Sequence, residues 1–371
     1  MASAGVPVLP GYDGEDQGDA ALAAAAHEVG WPVMIKPSRG GGGKGMRVVS
    51  DPAAFAAALD ASRREARAAF GDDAVVLERF LPRPRHVEVQ VLADGRGGLV
   101  HLGERECSIQ RRHQKVLEET PSPALSPEVR RTLCAAGVEA ARAASYLNAG
   151  TVEFLLGRDG RFFFLEMNTR LQVEHPVTEA VTGLDLVRLQ IEIAQGRPLP
   201  FDQDDVVARG HALECRLYAE DPDDDDRPSP GRIVHVSFPD GPGVRVDAGV
   251  ARGSDVTVHY DPLLAKLVTW GRDRPEALGR MREALQRTVV LGVTTNLRRL
   301  QGIVAHPAFA RGEVHTGFID EHLATTVPSG DPPAEAVAAA IAALHAATPN
   351  GRSARAVVPD PWARLGPWRL V

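Results

Sequence analysis

At 371 residues, with 44% apolar and 25% charged residues, the chain has the composition of a soluble globular protein, and its length predicts two to three domains. A net charge of −7 excludes an overall attraction to nucleic acid or anionic membrane, and no apolar run is long enough to span a bilayer. Cys107, Cys134 and Cys215 are odd in number and in no CxxC pair, and Met1 opens no secretory signal, which excludes a disulfide framework and predicts a reducing cytoplasm.

Residues 19–29, Ala-rich and stopped by Gly30, predict a helix, and Trp31 to Lys36 a strand. Gly40 to Gly45 formally match GxGxxG, but Met46 to Val49 is β-like, whereas a dinucleotide fingerprint must lead into a helix. Lys44 is followed by Gly45, so the stretch is no P-loop either. A strand, glycine loop and strand predict a flap whose N–H groups fold over phosphates, with Lys36 adding a fixed charge. Asp51 and Pro52 predict a helix start and Gly71 its stop. Strands follow at Val75–Phe80 and His86–Leu92, and Glu78-Arg79-Phe80-Leu81 could form a purine slot.

Glu104 to Lys115 is dense in charge, and by itself reads as a solvated face; beside phosphates, His113 and Lys115 become anion ligands. Ser126 and Pro127 start a helix running to about Ala144. Thr151 to Leu156 and Arg161 to Glu166 flank Asp159-Gly160, a signal for a two-residue type I′ hairpin. Arg158 then faces Arg161, and counting outward Glu153 faces Glu166, with Asn168 on the same face. Two facing carboxylates destabilise a sheet unless a cation lies between them, and Glu with Asn suits magnesium bridging phosphates. Arg170, Gln172 and Glu174 follow at once, adding a fixed positive charge and a further carboxylate.

A helix is predicted from about Leu184 to Gln195, before the chain changes character around residues 200–210. Asp202–Asp205 and Asp221–Asp226 read as solvated acidic loops. Short strands at 211–219, 232–238, 243–246, 256–259 and 265–270, then helices at 275–288 and 295–304, predict a second, α+β domain. Beyond about Thr325 the chain is Pro/Ala-rich, with one short helix at 335–347.

Taken together, Lys36 with Gly40–Gly45, Glu78 to Leu81, Arg85 to Gln90, Ser108 to Lys115 and Glu166-Met-Asn-Thr-Arg-Leu-Gln-Val-Glu-His-Pro176 resemble biotin carboxylase, an ATP-grasp enzyme. The resemblance runs from residue 1 to about 323; Gly210 to Pro222 and Tyr260 to Lys266 are similar to the family's C-terminal domain. It implies an α+β molecule with an ATP-grasp domain at 1–203 (flap at about 8–80), a biotin carboxylase C-terminal domain at 204–323, and a linker with the start of a further region at 324–371. The family forms carboxyphosphate from bicarbonate and MgATP and passes CO2 to biotin on a carrier domain.

By motif match, Lys36, His86, Gln110 and His113 contact ATP, Gly42 and Gly43 close over its phosphates, and Glu78, Arg79, Phe80 and Leu81 hold the adenine. Glu153, Glu166 and Asn168 match the ligands of magnesium or manganese. Lys115, Arg170, Gln172 and Val173 match the bicarbonate pocket, Glu174 the general base, and Arg170 and Arg245 the cations around the biotin enolate. Implied partners are a biotinylated carrier, a carboxyltransferase subunit and a second copy of the chain. Against the family pattern, Met1 aligns after the family's N-terminal α/β domain and a phosphate-contacting lysine, so both are expected to be missing, a loss that would expose apolar surface. Asp360 to Arg369 is similar to the region following the carboxylase domains in acyl-CoA carboxylase α-subunits, and no biotin-accepting Met-Lys-Met is present. Two other readings remain open: a fragment that only binds nucleotide or a subunit, and a different ATP-grasp carboxylate ligase.

Overall fold

Glycines and capping residues end the elements largely where the sequence places them. The structure, a computed structural model, describes residues 1–39 and 45–323, with Ala338 and Ile341 beyond them. Gly42, Gly43 and the segment 360–369 lie outside the described residues. A small sheet is made by β1 (Gly11–Tyr12), β2 (Val33–Pro37), β3 (Arg47–Val49) and β4 (Val75–Arg79), in the order β1-β4-β2-β3. Two helices, α1 (Asp19–Val29) and α2 (Phe55–Phe70), pack on it through Leu22, Ala26, Leu59 and Phe55 against Val33, Ile35 and Leu77. The Asp51 carboxylate accepts from the Ala53 N–H at 2.9 Å, and Gly71 closes α2 at φ 75°. Ile35 lies opposite Arg47, so the glycine stretch does join two antiparallel strands.

The long strands come next: β5 (Arg85–Ala93), β6 (Leu99–Arg111), β7 (Gln114–Thr120), then α3 (Pro127–Ala143), β8 (Asn148–Leu156) and β9 (Phe162–Asn168). Two helices, α4 (His175–Thr182) and α5 (Leu186–Ala194), precede β10 (His211–Tyr218). Short strands β11 (Glu220–Asp221), β12 (Arg227–Pro228), β13 (Gly231–Arg232) and β14 (His235–Ser237) lead to β15 (Val244–Ala248), β16 (Asp255–Val256) and β17 (Leu263–Gly271). The described part ends in α6 (Arg274–Arg287), β18 (Val289–Leu291), α7 (Leu297–Ala305), α8 (Pro307–Ala310) and α9 (Phe318–His322).

One antiparallel sheet of eight strands, in the order β15-β17-β10-β7-β6-β5-β8-β9, forms the body of the compact unit Met1–Thr326. Its hydrophobic alternation decides which side chains face the site. Val87, Val89 and Val91 of β5 pack with Leu133 and Ala140 of α3, which turns His86, Glu88 and Gln90 to the opposite face. Leu213, Cys215 and Leu217 of β10 join Leu117, Met281 and Phe309 in another core, which turns Glu214 and Arg216 the other way. The polar sets of both strands therefore share a face that α4 covers rather than water.

The charge-dense stretch departs from its expected place on a solvated surface. Glu104, Arg105 and Glu106 are buried within β6, and Glu118 and Glu119 within β7. The two strands are joined by Arg112 and His113 at φ 48° and 67°, a two-residue turn of the I′ kind built without glycine or asparagine. The acidic loop Asp221–Asp226 is likewise tied down: Asp226 is buried between Arg111 and Arg299, Asp225 pairs with Arg112, and Asp223 with Arg298. Asp202–Asp205 is solvent-facing, as expected, and caps a short 3-10 turn.

Candidate active site

The β8–β9 hairpin brings Glu153 opposite Glu166 and Thr151 opposite Asn168. The route differs from the two-residue turn expected. Gly157 N–H donates to Arg161 O at 2.8 Å, so the loop is Arg158-Asp159-Gly160, with only Gly160 at positive φ (78°). That shifts the register by one residue near the turn, pairing Phe154 with Phe164. A bulge at Leu165 then shifts it back, so the two offsets cancel at the carboxylates. Asn168 Nδ2 donates to Glu153 Oε1 at 3.1 Å and to Glu166 Oε1 at 3.4 Å, while its Oδ1 accepts from Arg170 at 3.2 Å.

Behind this trio lies a buried ionic cluster centred on Lys115. Its ammonium contacts Glu88, and donates to Glu153 Oε1 at 2.9 Å and Glu174 Oε1 at 2.6 Å. Burial alone would make Lys115 easier to deprotonate; Glu88, with Cys107, Glu174 and Glu153 around it, raises its pKa well above the usual lysine value instead. Burial likewise pushes the Glu153 carboxyl up, but His86 and Lys115 outweigh it and hold Glu153 well below the usual carboxylate range. His86 Nε2 lies 2.8 Å from Glu153 Oε2, close enough for an ion pair but out of line for a hydrogen bond, and its Nδ1 meets Gln110 Nε2 at 2.6 Å. Gln172 donates to Glu153 Oε1 at 2.7 Å.

The donor set fits a hard cation at Glu153, Glu166 and Asn168: two carboxylates and an amide, with Asn168 Oδ1 available once the amide rotates. His86, Glu88 and Glu153 also bring ligand atoms within 4.8 Å of one another, as do Glu88, Cys107 and Glu174. The Lys115 ammonium already supplies a positive charge there, so the hairpin side is the better cation site.

Other expected residues lie apart from this cluster. Lys36 pairs with Glu78 on the small sheet, Arg79 donates to Val29 O at 3.2 Å, and Phe80 N–H to Pro32 O at 2.9 Å. Leu81 is half-buried near Gly157. His113 is exposed at the β6–β7 turn. Arg245 is bound to Glu179 at 2.7 Å and Asp247 at 2.8 Å, beside an open cleft of about 530 Å³ lined also by Trp270. Its link to Glu174 is indirect: Asp247 pairs with Lys266, whose ammonium donates to the Val173 carbonyl at 2.9 Å.

Sequence reasoning passed over three groups that hold the site. Arg105 is fully buried and spends its donors on Glu88, Gln90, Thr178, Thr151 and Gln172. Arg216 donates to Glu174 Oε2 at 2.9 Å and pairs with Glu118 at 2.6 Å, so Glu174 is held by a cation on each oxygen. Lys266 fixes the backbone just before it. The alternation His86-Val-Glu88-Val-Gln90 was the available signal, a polar face too rich in functional groups for plain solvent.

Residues 1–201 match the family described as "Carbamoyl-phosphate synthase L chain, ATP binding domain", and residues 214–321 the "Biotin carboxylase C-terminal domain". A methylcrotonoyl-CoA carboxylase subunit alpha of Dictyostelium discoideum is 46% identical over 375 residues, covering 100% of this chain and 53% of that protein. The chain thus spans about half the length of such relatives. A biotin carboxylase of Nostoc is 51% identical over 321 residues, 86% of this chain and 72% of that enzyme. The biotin carboxylase domain dimer of Hydrogenobacter thermophilus 2-oxoglutarate carboxylase, solved with MgADP and bicarbonate, superposes with a TM-score of 0.82 at 42% identity, over 87% of this chain and 71% of that one. With a carboxylate hairpin, a glycine-linked strand pair and both halves of the family's sequence pattern in one chain, the protein belongs to the biotin carboxylase family of ATP-grasp proteins.

Proposed function

We propose that the chain carries out ATP- and bicarbonate-dependent carboxylation of biotin on a carrier protein, as the biotin carboxylase part of an acyl-CoA carboxylase. The observation that carries this is Lys115, whose ammonium joins Glu174 to Glu153 and so puts a base, a cationic anion-holder and a cation-binding hairpin within one side chain's reach. The ligands of the Hydrogenobacter domain, MgADP and bicarbonate, support the same ligands here.

Glu174 would take the proton of bicarbonate, a weak nucleophile that needs a base beside it. Lys115 would hold the bicarbonate charge, and Gln172 and the Val173 backbone would orient it. A bicarbonate oxygen would then attack the γ-phosphorus of ATP, releasing ADP and leaving carboxyphosphate. Glu153, Glu166 and Asn168 would hold magnesium or manganese, which neutralises phosphate charge when bound. Lys36, His86, Gln110, His113, Gly42 and Gly43, with Glu78 to Leu81, would hold the nucleotide. Arg170 and Arg245 would stabilise the biotin enolate, for which Arg245 must leave Glu179 or share it.

In this reading the ATP-grasp domain spans 1–203 with its flap at about 8–80, and the C-terminal domain 204–323. A biotinylated carrier, a carboxyltransferase subunit and a second copy of the chain are the partners, in a cytoplasmic setting that suits three buried free cysteines. Among the described residues no helix is long and apolar enough to cross a membrane.

The test is ATP cleavage measured with bicarbonate and free biotin added separately. Cleavage should need bicarbonate and rise with biotin, and Glu174→Ala should abolish biotin-dependent turnover while sparing MgATP binding. Folded protein that binds nucleotide but shows no bicarbonate-dependent cleavage would favour a binding role instead.

A further inference from the structure

Glu214 of β10 lies directly opposite Glu118 of β7, and both side chains are 0% exposed. Neither oxygen of Glu214 has a hydrogen-bond partner. Glu118 has Arg216 Nε at 2.6 Å, yet the contact is too misaligned to count as a hydrogen bond to either oxygen. Two buried carboxylates facing each other without donors would cost several kcal/mol each if both were charged. Such groups need an explanation, and a shared proton supplies one.

The surrounding charges agree. Glu88, Glu153 and Glu174 are matched by Arg105, Lys115 and Arg216, which leaves little positive charge for two further carboxylates. The charged and titratable groups acting on the pair are Lys115 on β7, Arg216 and Tyr218 on β10, Lys266 on β17, Glu174 at the start of α4, and the buried thiols of Cys107 and Cys215. Arg216 spans the gap to the proposed base, touching Glu118 through Nε and Glu174 through Nη2.

We propose that Glu118 and Glu214 hold at least one proton between them at neutral pH, and that Arg216 couples this pair to the charge on Glu174. The pair then acts as a positioning and charge-balancing element behind the base. While Glu174 is charged, Arg216 is committed to it and Glu118 stays protonated with Glu214. When Glu174 is neutral, Arg216 is free to stabilise a charged Glu118. The two sites are linked through equilibrium electrostatics, with no proton passing directly between them, and the coupling is reciprocal. Burial lifts the Glu118 carboxyl to about 7 and Glu214 well above its ordinary value, in keeping with the geometry.

The catalytic meaning rests on the reading of Glu174 as the base; the shared proton does not. The experiment is isotope-edited infrared spectroscopy of the full chain, labelled at glutamate carboxyl carbons. Wild type should show a protonated-carboxyl C=O band at neutral pH that Glu214→Gln removes or shifts, with Glu118→Gln as the second variant if the first does not fold. The pH midpoint at which the band fades should fall by about one unit in Glu174→Gln, because Arg216 is released. No such band in wild type overturns the shared proton, and an unmoved midpoint in Glu174→Gln overturns the coupling. Neither readout needs catalytic turnover, so loss of activity would count against the proposed function alone.

Discussion

Glu118 and Glu214 carry a stability signature as well as a spectroscopic one. Their folded-state pKa values are raised, mainly by burial, so the fold holds protons that the unfolded chain releases near pH 4. Stability from such groups is fully present below about pH 4 and is lost as pH rises through their folded-state values, about 7 for Glu118, at about 1.4 kcal/mol per pH unit per proton. Glu214→Gln cannot ionise, so its stability relative to wild type should increase as pH rises above about 5, the unfolded-state range of a glutamate, measured by urea denaturation. Parallel curves for the two proteins would mean that Glu214 is not protonated in the fold. Single residues also show what the sequence concealed. Arg105 lies in a run of charges that looks like surface, and only the covering of that face by α4 makes it the most buried arginine of the site. Glu153, Glu166 and Glu174 were legible because carboxylates, an amide and an arginine so close together are rare, whereas Lys115 stood in a run that by itself reads as a solvated face and was singled out only by the family resemblance. Arg216 was not, because its partners come from strands distant in sequence.

At the level of elements, two hairpins show how pattern and geometry can part. In β8–β9 the Asp-Gly signal found the hairpin but not its loop length, and the pairing of Glu153 with Glu166 holds because the Leu165 bulge restores the register. In β6–β7 the turn gives no sequence signal at all, since Arg112 and His113 adopt positive φ without glycine. That turn offers a separation of stability from function. Replacing Arg112-His113 by Asn-Gly should stabilise the chain by about 1 kcal/mol, because both residues then favour the conformation, while the exposed Arg112–Asp225 pair is a small loss. If His113 contacts nucleotide, the same variant should bind MgATP more weakly. A thermal scan with and without MgATP checks both, and unchanged nucleotide affinity would remove His113 from the site.

For the molecule as a whole, the eight-stranded sheet crosses the division between the two matched families, with β7 from the first bonded to β10, which runs from the stretch between them into the second. Cooperative unfolding of β5 to β17 is therefore expected. Met281→Ala in α6 deletes a fully buried side chain, at a cost of about 2–5 kcal/mol. By amide hydrogen exchange that loss should appear equally in β5, β8 and β10; a loss confined to β10 and β17 would show two independent units. The sequence reading of the second half found β10, β15, β17, α6 and α7, but missed β11, β12, β18 and the two short last helices and placed a strand at 256–259 where only Asp255–Val256 pair; a sheet shared between halves follows from pairings no local pattern encodes.

The loop Asp221–Asp226 gives the β6–β7 turn a property that helices and apolar cores do not confer. Its hold on Arg112 is exposed, and its hold on Arg111 and Arg299 is buried. Dissolved ions screen the first and barely reach the second. Added salt should thus loosen the tip that carries His113 while the base of the hairpin, with Gln110 and Lys115, stays fixed. Nucleotide affinity would then answer to the ionic strength of the surroundings before the fold does.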